Sequence, residues 1–178
     1  DVVAGSLPYL AETVVAMLAT ASLGAVWTST SPDFGVDSVV ERFGQVEPKV
    51  LFCCNGYRFG GKTFDMADKN QTVSNKLSRK ISVCEIEYVN SEADPATVGF
   101  TSWRSLLDTY QPRDVHYHHV EFNHPLFILY SSGTTGQPKC IVHSVGGTLL
   151  NHVKEHQLHC DIKPNDKVFY YTTCGWMM

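Results

Sequence analysis

Residues 126–143 read LFILYSSGTTGQPKCIVH. The five apolar residues 126–130 have the length and composition of a buried strand, and a second apolar run, 140–143, has the same character. Between them lie Ser131, Ser132, Gly133, Thr134, Thr135, Gly136, Gln137, Pro138 and Lys139. The two glycines open backbone conformations closed to other residues, so successive N–H groups can converge on one concavity. The hydroxyls of Ser131, Ser132, Thr134 and Thr135 add donors suited to phosphate oxygens. Lys139 adds a mobile positive charge that can follow an anion whose own charge shifts during a reaction. A plain linker between strands needs none of these features together. The stretch reads as a polyphosphate grip, with Lys139 as its catalytic cation.

It is not the phosphate loop of the P-loop NTPases. That motif needs glycine just before the lysine and Ser or Thr just after it to hold magnesium. Pro138 and Cys140 stand there instead. The loop also runs into a strand rather than a helix, so no helix N-terminus faces the anion. The kinase glycine loop is excluded too, because no G-x-G-x-x-G occurs.

Working outward, strands and helices alternate. Residues 2–7 read as a strand, and 10–23 carry apolar residues at helical spacing before the stop at Gly24. Residues 25–28 form the next strand. Ser31-Pro32 then looks like a helix N-cap with proline at the first helical position, opening a helix with Val36, Val39, Val40 and Phe43 on one face. A strand at 49–54, a loop at 56–62, a polar helix near 65–77 and a strand at 80–88 follow. Residues 103–107 suggest a short helix and 111–124 irregular chain. After the loop come the strand 140–143, a helix at 147–158 and a last strand at 167–172. The expected fold class is α/β, a mostly parallel sheet with crossover helices.

Composition supports an ordinary globular chain of 178 residues, 43% hydrophobic and 18% charged. A net charge of −4 with no basic stripe argues against nucleic acid as a partner. No apolar run approaches the roughly 20 residues of a membrane span. Six cysteines without a C-x-x-C pair read as reduced thiols of a cytosolic protein. His152, His156 and His159 share a helical face but lack the H-E-x-x-H pattern, so no metal site is assigned. His116, His118 and His119 read as solvated chain. The chain opens on Asp1 rather than Met and ends on Met178 without a polar tail, so both ends read as cut. Oligomeric state is not legible.

The segment Ser131–Lys139 resembles the phosphate motif of the adenylate-forming superfamily. The flanking stretches 29–36, 142–149, 154–159 and 171–178 are similar, more narrowly, to the acetoacetyl-CoA synthetases within it. Cys140 departs from the wider superfamily, where glycine follows the lysine, but suits this narrower group. The resemblance implies that residues 1–178 are part of a large N-terminal AMP-binding domain truncated at both ends, with a mobile C-terminal domain outside them. It implies a ligase that uses ATP to turn acetoacetate into an acyl-adenylate and then passes the acyl group to coenzyme A. Ser131, Ser132, Gly133, Thr134, Thr135, Gly136 and Lys139 would hold the ATP phosphates, and magnesium would be held by residues past Met178. Trp176, Met177 and Met178 would edge the acyl pocket, with His143 near the substrate unless it is a structural histidine. Arg58 and Lys62 could meet the phosphates of coenzyme A, though a solvated basic turn reads equally well, and Trp27, Thr28 and Ser29 are further candidates. A synthetase for acetate or propionate, and a catalytically silent nucleotide-binding protein, remain open as alternatives.

Overall fold

The computed structural model describes residues 1–77, 80–89, 94–132 and 136–176. Its frame is a seven-stranded sheet in the order β7-β6-β3-β1-β2-β8-β9. The strands are β1 (Val2–Ser6), β2 (Val26–Thr30), β3 (Val50–Cys54), β6 (Ser82–Ile86), β7 (Thr101–Ser102), β8 (Pro125–Ser131) and β9 (Lys139–Ser144). All neighbours are parallel except β8 and β9, which run antiparallel. The expected α/β class and mostly parallel sheet are therefore what the chain forms.

Side chains alternate across each strand and split the core in two. On one face, Val39 and Phe43 of helix α2 (Val36–Val46) meet Ala4, Leu51, Cys53 and Tyr130. On the other, Ala16 of helix α1 (Ala11–Ser22) meets Leu7, Trp27, Cys54 and Ile86. The connections leaving β1 and β2 thus lie on opposite faces. A crevice at the carboxyl ends of such strands is where open α/β sheets bind ligands.

Four expectations need correcting. Helix α2 starts at Val36 with Gly35 as its N-cap, not at Ser31-Pro32. Residues 31–34 form a turn closed by Phe34 N–H donating to the Ser31 carbonyl (3.3 Å), and Lys69 Nζ takes the Pro32 carbonyl (2.5 Å). Residues 56–62 are not a loop: β4 (Gly56–Phe59) and β5 (Lys62–Asp65) form a hairpin turning at Gly60 and Gly61, both at positive φ. Tyr57 and Phe64 stack across it with ring centroids 4.9 Å apart. The helix expected over 147–158 is α5 (Val145–Val153), continued by a wider π-helical turn, Lys154–His159. The strand expected at 167–172 does not form. Its apolar residues find no ladder partner among the described residues, and Val168 to Tyr171 lie exposed.

The β4–β5 hairpin is fixed to the sheet by Asn55, which is buried where β3 ends. Its Nδ2 donates to the Val89 carbonyl (2.7 Å), while its Oδ1 accepts the N–H groups of Tyr88 (2.9 Å) and Val89 (3.0 Å). The Asn55 carbonyl accepts the N–H of Met66, where helix α3 (Ala67–Lys76) begins. Replacing Asn55 with Ala leaves the main-chain bond to Met66 but strips the Val89 carbonyl and N–H of their partner, so we predict a loss of about 2–3 kcal/mol in denaturant unfolding. A loss below about 0.5 kcal/mol would show that water takes over the amide's bonds.

Candidate functional site

The expected phosphate loop joins β8 to β9 at the carboxyl edge of the sheet. The ladder pairs Tyr130 with Cys140 and Ser131 with Lys139. Opposed residues of an antiparallel pair point to the same side, so Ser131 and Lys139 form one rung at the mouth of the loop. Gly133, Thr134 and Thr135 lie outside the described residues. Gly136 takes φ +102°, a conformation that side-chain-bearing residues rarely adopt. Pro138 is buried, whereas Lys139 is exposed and able to reach a ligand.

A cleft of about 420 Å³ opens beside this rung. Ser131, Ser132 and Tyr130 form one wall, and Ser31, Asp33, Phe34 and Arg42 another. Thr173, Gly175 and Trp176 close it from the far side, near Ser29. The closing segment crosses the end of β2, where the Ser29 hydroxyl donates to the Cys174 carbonyl (2.6 Å). Gly175 is needed for that crossing, because a Cβ there would stand 2.8 Å from the Ser31 backbone nitrogen. The contact brings Trp176 to the rim, 67% exposed. Met177 and Met178 lie outside the described residues.

Arg42 gives the cleft its fixed positive charge. The half-buried guanidinium lies over the Phe34 ring at 4.9 Å and 6.0 Å from the Tyr130 ring centroid. It donates to the Ser38 carbonyl (2.8 Å) and hydroxyl (2.5 Å). No carboxylate pairs with it among the described residues, so its charge is available to an anion in the cleft. Tyr130 anchors the base of the wall, with its hydroxyl 2.9 Å from Thr28 Oγ1. Burial pushes that phenol far above its ordinary range, so it stays a neutral hydrogen-bonding group.

A wall of serine hydroxyls, one guanidinium and one lysine at a glycine-bearing turn is chemistry for a phosphorylated ligand. The family model described as AMP-binding enzyme matches residues 1–178. The chain belongs to the AMP-binding enzymes. Among its relatives, acetoacetyl-coenzyme A synthetase of Rhizobium meliloti (strain 1021) is 44% identical over the whole chain and 27% of that protein. Acetoacetyl-CoA synthetase of Danio rerio is 46% identical over the whole chain and 28% of that protein. The solved structure of acetoacetyl-CoA synthetase from Streptomyces lividans superimposes with a TM-score of 0.91 at 48% identity, covering 99% of this chain and 27% of that one. The chain therefore spans little more than a quarter of the length of these relatives.

Within this AMP-binding chain, the cleft gathers Ser131, Ser132, Ser29 and Trp176 of the residues expected from sequence, with Lys139 on the adjoining rung. Others stand apart. Trp27 and Thr28 are buried: Trp27 packs in the α1-side core and Thr28 donates to the Ile128 carbonyl (2.6 Å). Both are tied into the sheet, and neither lines the cleft. Arg58 and Lys62 are exposed on the β4–β5 hairpin, a separate two-stranded sheet that follows β3, and neither lines the cleft. His143 pairs with Phe127 near the far end of β9, outside the cleft, and its buried Nε2 has no hydrogen-bond partner. Sequence reading missed Arg42, Asp33 and Phe34. The misplaced helix start hid the last two, and Arg42 carries no motif of its own.

Arg42→Met keeps the side chain's bulk and removes its charge. In the full-length protein we predict pyrophosphate binding, read by calorimetry, to weaken about tenfold, or about 1.4 kcal/mol. Unchanged affinity would mean that the guanidinium is wholly spent on Phe34, Tyr130 and Ser38.

Proposed function

We propose that the protein to which these residues belong joins acetoacetate to coenzyme A using ATP. In the first step a carboxylate oxygen attacks the α-phosphorus of ATP, giving an acyl-adenylate and releasing pyrophosphate. In the second, the thiol sulfur of coenzyme A attacks the acyl carbon, giving the thioester and AMP, and the thiol proton is lost. The observation that carries the reading is the Ser131–Lys139 rung at the mouth of a cleft lined by Ser131, Ser132 and Arg42. Its setting is a chain 44–48% identical to proteins named for acetoacetyl-CoA synthesis.

In this reading the backbone and hydroxyls of 131–136 hold the outer phosphates. Lys139 meets the negative charge that builds on departing pyrophosphate, and catalysis comes mainly from positioning and charge neutralisation. Trp176, with Met177 and Met178, edges the space for a short acid. In the same reading Ser29, which lines the cleft, meets the thiol arm of coenzyme A, and Arg58 and Lys62 meet its phosphates. Magnesium would be held by residues past Met178, since among the described residues no group of three His, Cys, Asp or Glu side chains could hold a metal ion. No described helix is long and apolar enough to cross a membrane, and the unpaired thiols fit a cytosolic setting.

The test is ATP–pyrophosphate exchange by the full-length protein. Acetoacetate should support exchange better than acetate or propionate. Lys139→Ala should lower the rate about a hundredfold with the fold intact by circular dichroism. Preference for acetate would defeat the choice of acid, and an unchanged rate in Lys139→Ala would defeat the role of the lysine.

A further inference from the structure

Helix α2 grips the phosphate loop at a second place, one turn beyond Arg42. The Gln45 side-chain amide reaches across 93 positions of sequence, and its Nε2 donates to the Pro138 carbonyl at 3.0 Å. The same nitrogen donates to the Glu41 carbonyl within the helix (2.8 Å), and Oε1 accepts the Cys140 thiol at 3.5 Å. Both amide hydrogens and the amide oxygen are thus engaged.

The two loop contacts bracket Lys139. Pro138 has no N–H, so its carbonyl is its sole main-chain polar group, and Gln45 takes it. Cys140 is the partner of Tyr130 in the ladder and shares its face of the sheet, toward α2. Lys139, one residue earlier, points to the opposite face. Among the described residues strand β9 is the edge of the sheet, with a ladder on one side, and Ser131–Lys139 is the terminal rung of that ladder with β8. A terminal rung at a sheet edge frays unless something outside the ladder holds it. Gln45 supplies that hold on both sides of the lysine and leaves the lysine itself free.

We infer that Gln45 is a positioning residue for Lys139: through Pro138 and Cys140 it fixes the backbone from which the ammonium reaches the phosphates. The inference rests on the role of Lys139 proposed above. It also gives a physical reason for the cysteine after the lysine, since the glycine of the wider superfamily has no side chain to offer Gln45.

The experiment uses the full-length protein and three variants, Gln45→Leu, Cys140→Gly and Cys140→Ser. Gln45 is exposed, so Gln45→Leu should melt within about 3 °C of wild type. Its acetoacetate-dependent pyrophosphate exchange should fall about tenfold in kcat, with the KM for acetoacetate unchanged. Trypsin should cut after Lys139 several times faster than in wild type, because the rung opens more often. Cys140→Gly, which leaves α2 untouched, should show both effects more weakly and stands in if Gln45→Leu does not fold. Cys140→Ser keeps a donor for Gln45 and should behave as wild type. Wild-type kcat and wild-type cleavage in Gln45→Leu would overturn the inference, as would a lowered melting point with kcat unmoved. A wild-type protein that shows no exchange with acetoacetate overturns the proposed function instead; the trypsin comparison then still reads whether Gln45 holds the rung.

Discussion

Strand β8 has a parallel neighbour on one side, β2, and an antiparallel neighbour on the other, β9. That change of direction is what makes the site. Parallel pairing with β2 delivers the end of β8 to the carboxyl edge of the sheet. Antiparallel pairing with β9 then requires the chain to reverse within a few residues at that same edge. The reversal is the glycine- and hydroxyl-rich loop, and the register sets Lys139 opposite Ser131. Had β9 paired in parallel, a long crossover would separate the two residues. The cleft, the closing segment at Gly175 and the contacts from α2 all depend on where this reversal sits.

Helix α2 converts that backbone geometry into an electrostatic one. Its apolar face, Val39 and Phe43, packs on the sheet and fixes the height of the helix above β8. Arg42 and Gln45 lie on its flank, one toward the entrance of the loop at Tyr130 and one toward its exit at Pro138. A guanidinium half-removed from water, whose partners among the described residues are two aromatic rings and Ser38, favours an anion nearby. The cleft therefore offers a guanidinium beside aromatic and serine surfaces, with Lys139 on the adjoining rung.

Much of this was legible in the sequence because the local signals agreed with one another. Apolar runs of five residues became strands, and Val39 and Phe43 became the buried stripe of a helix. The loop at 131–139 announced itself by residue type. What failed did so for identifiable reasons. Ser31-Pro32 has the chemistry of a helix start, but Lys69 from α3 holds the Pro32 carbonyl in a turn. The Gly60-Gly61 turn between Tyr57 and Phe64 carried a hairpin signal that a reading for cationic residues passed over. Trp27 and Thr28 close the expected strand at 25–28, but β2 runs on to Thr30, so both lie within the sheet rather than at its end. Residues 167–172 have strand composition, but a strand exists only where a neighbour completes its hydrogen bonds. Arg42 and Gln45 could not be found from sequence at all, because their roles follow from strand order.

The central claim is that the turn between β8 and β9 wraps the outer phosphates of ATP. A crystal structure of the full-length protein with ATP bound tests it most directly. The account predicts β- and γ-phosphate oxygens at about 3 Å from Ser131, Ser132 and the Lys139 ammonium. Phosphates seated elsewhere on the protein, with Lys139 turned out to solvent, would contradict it.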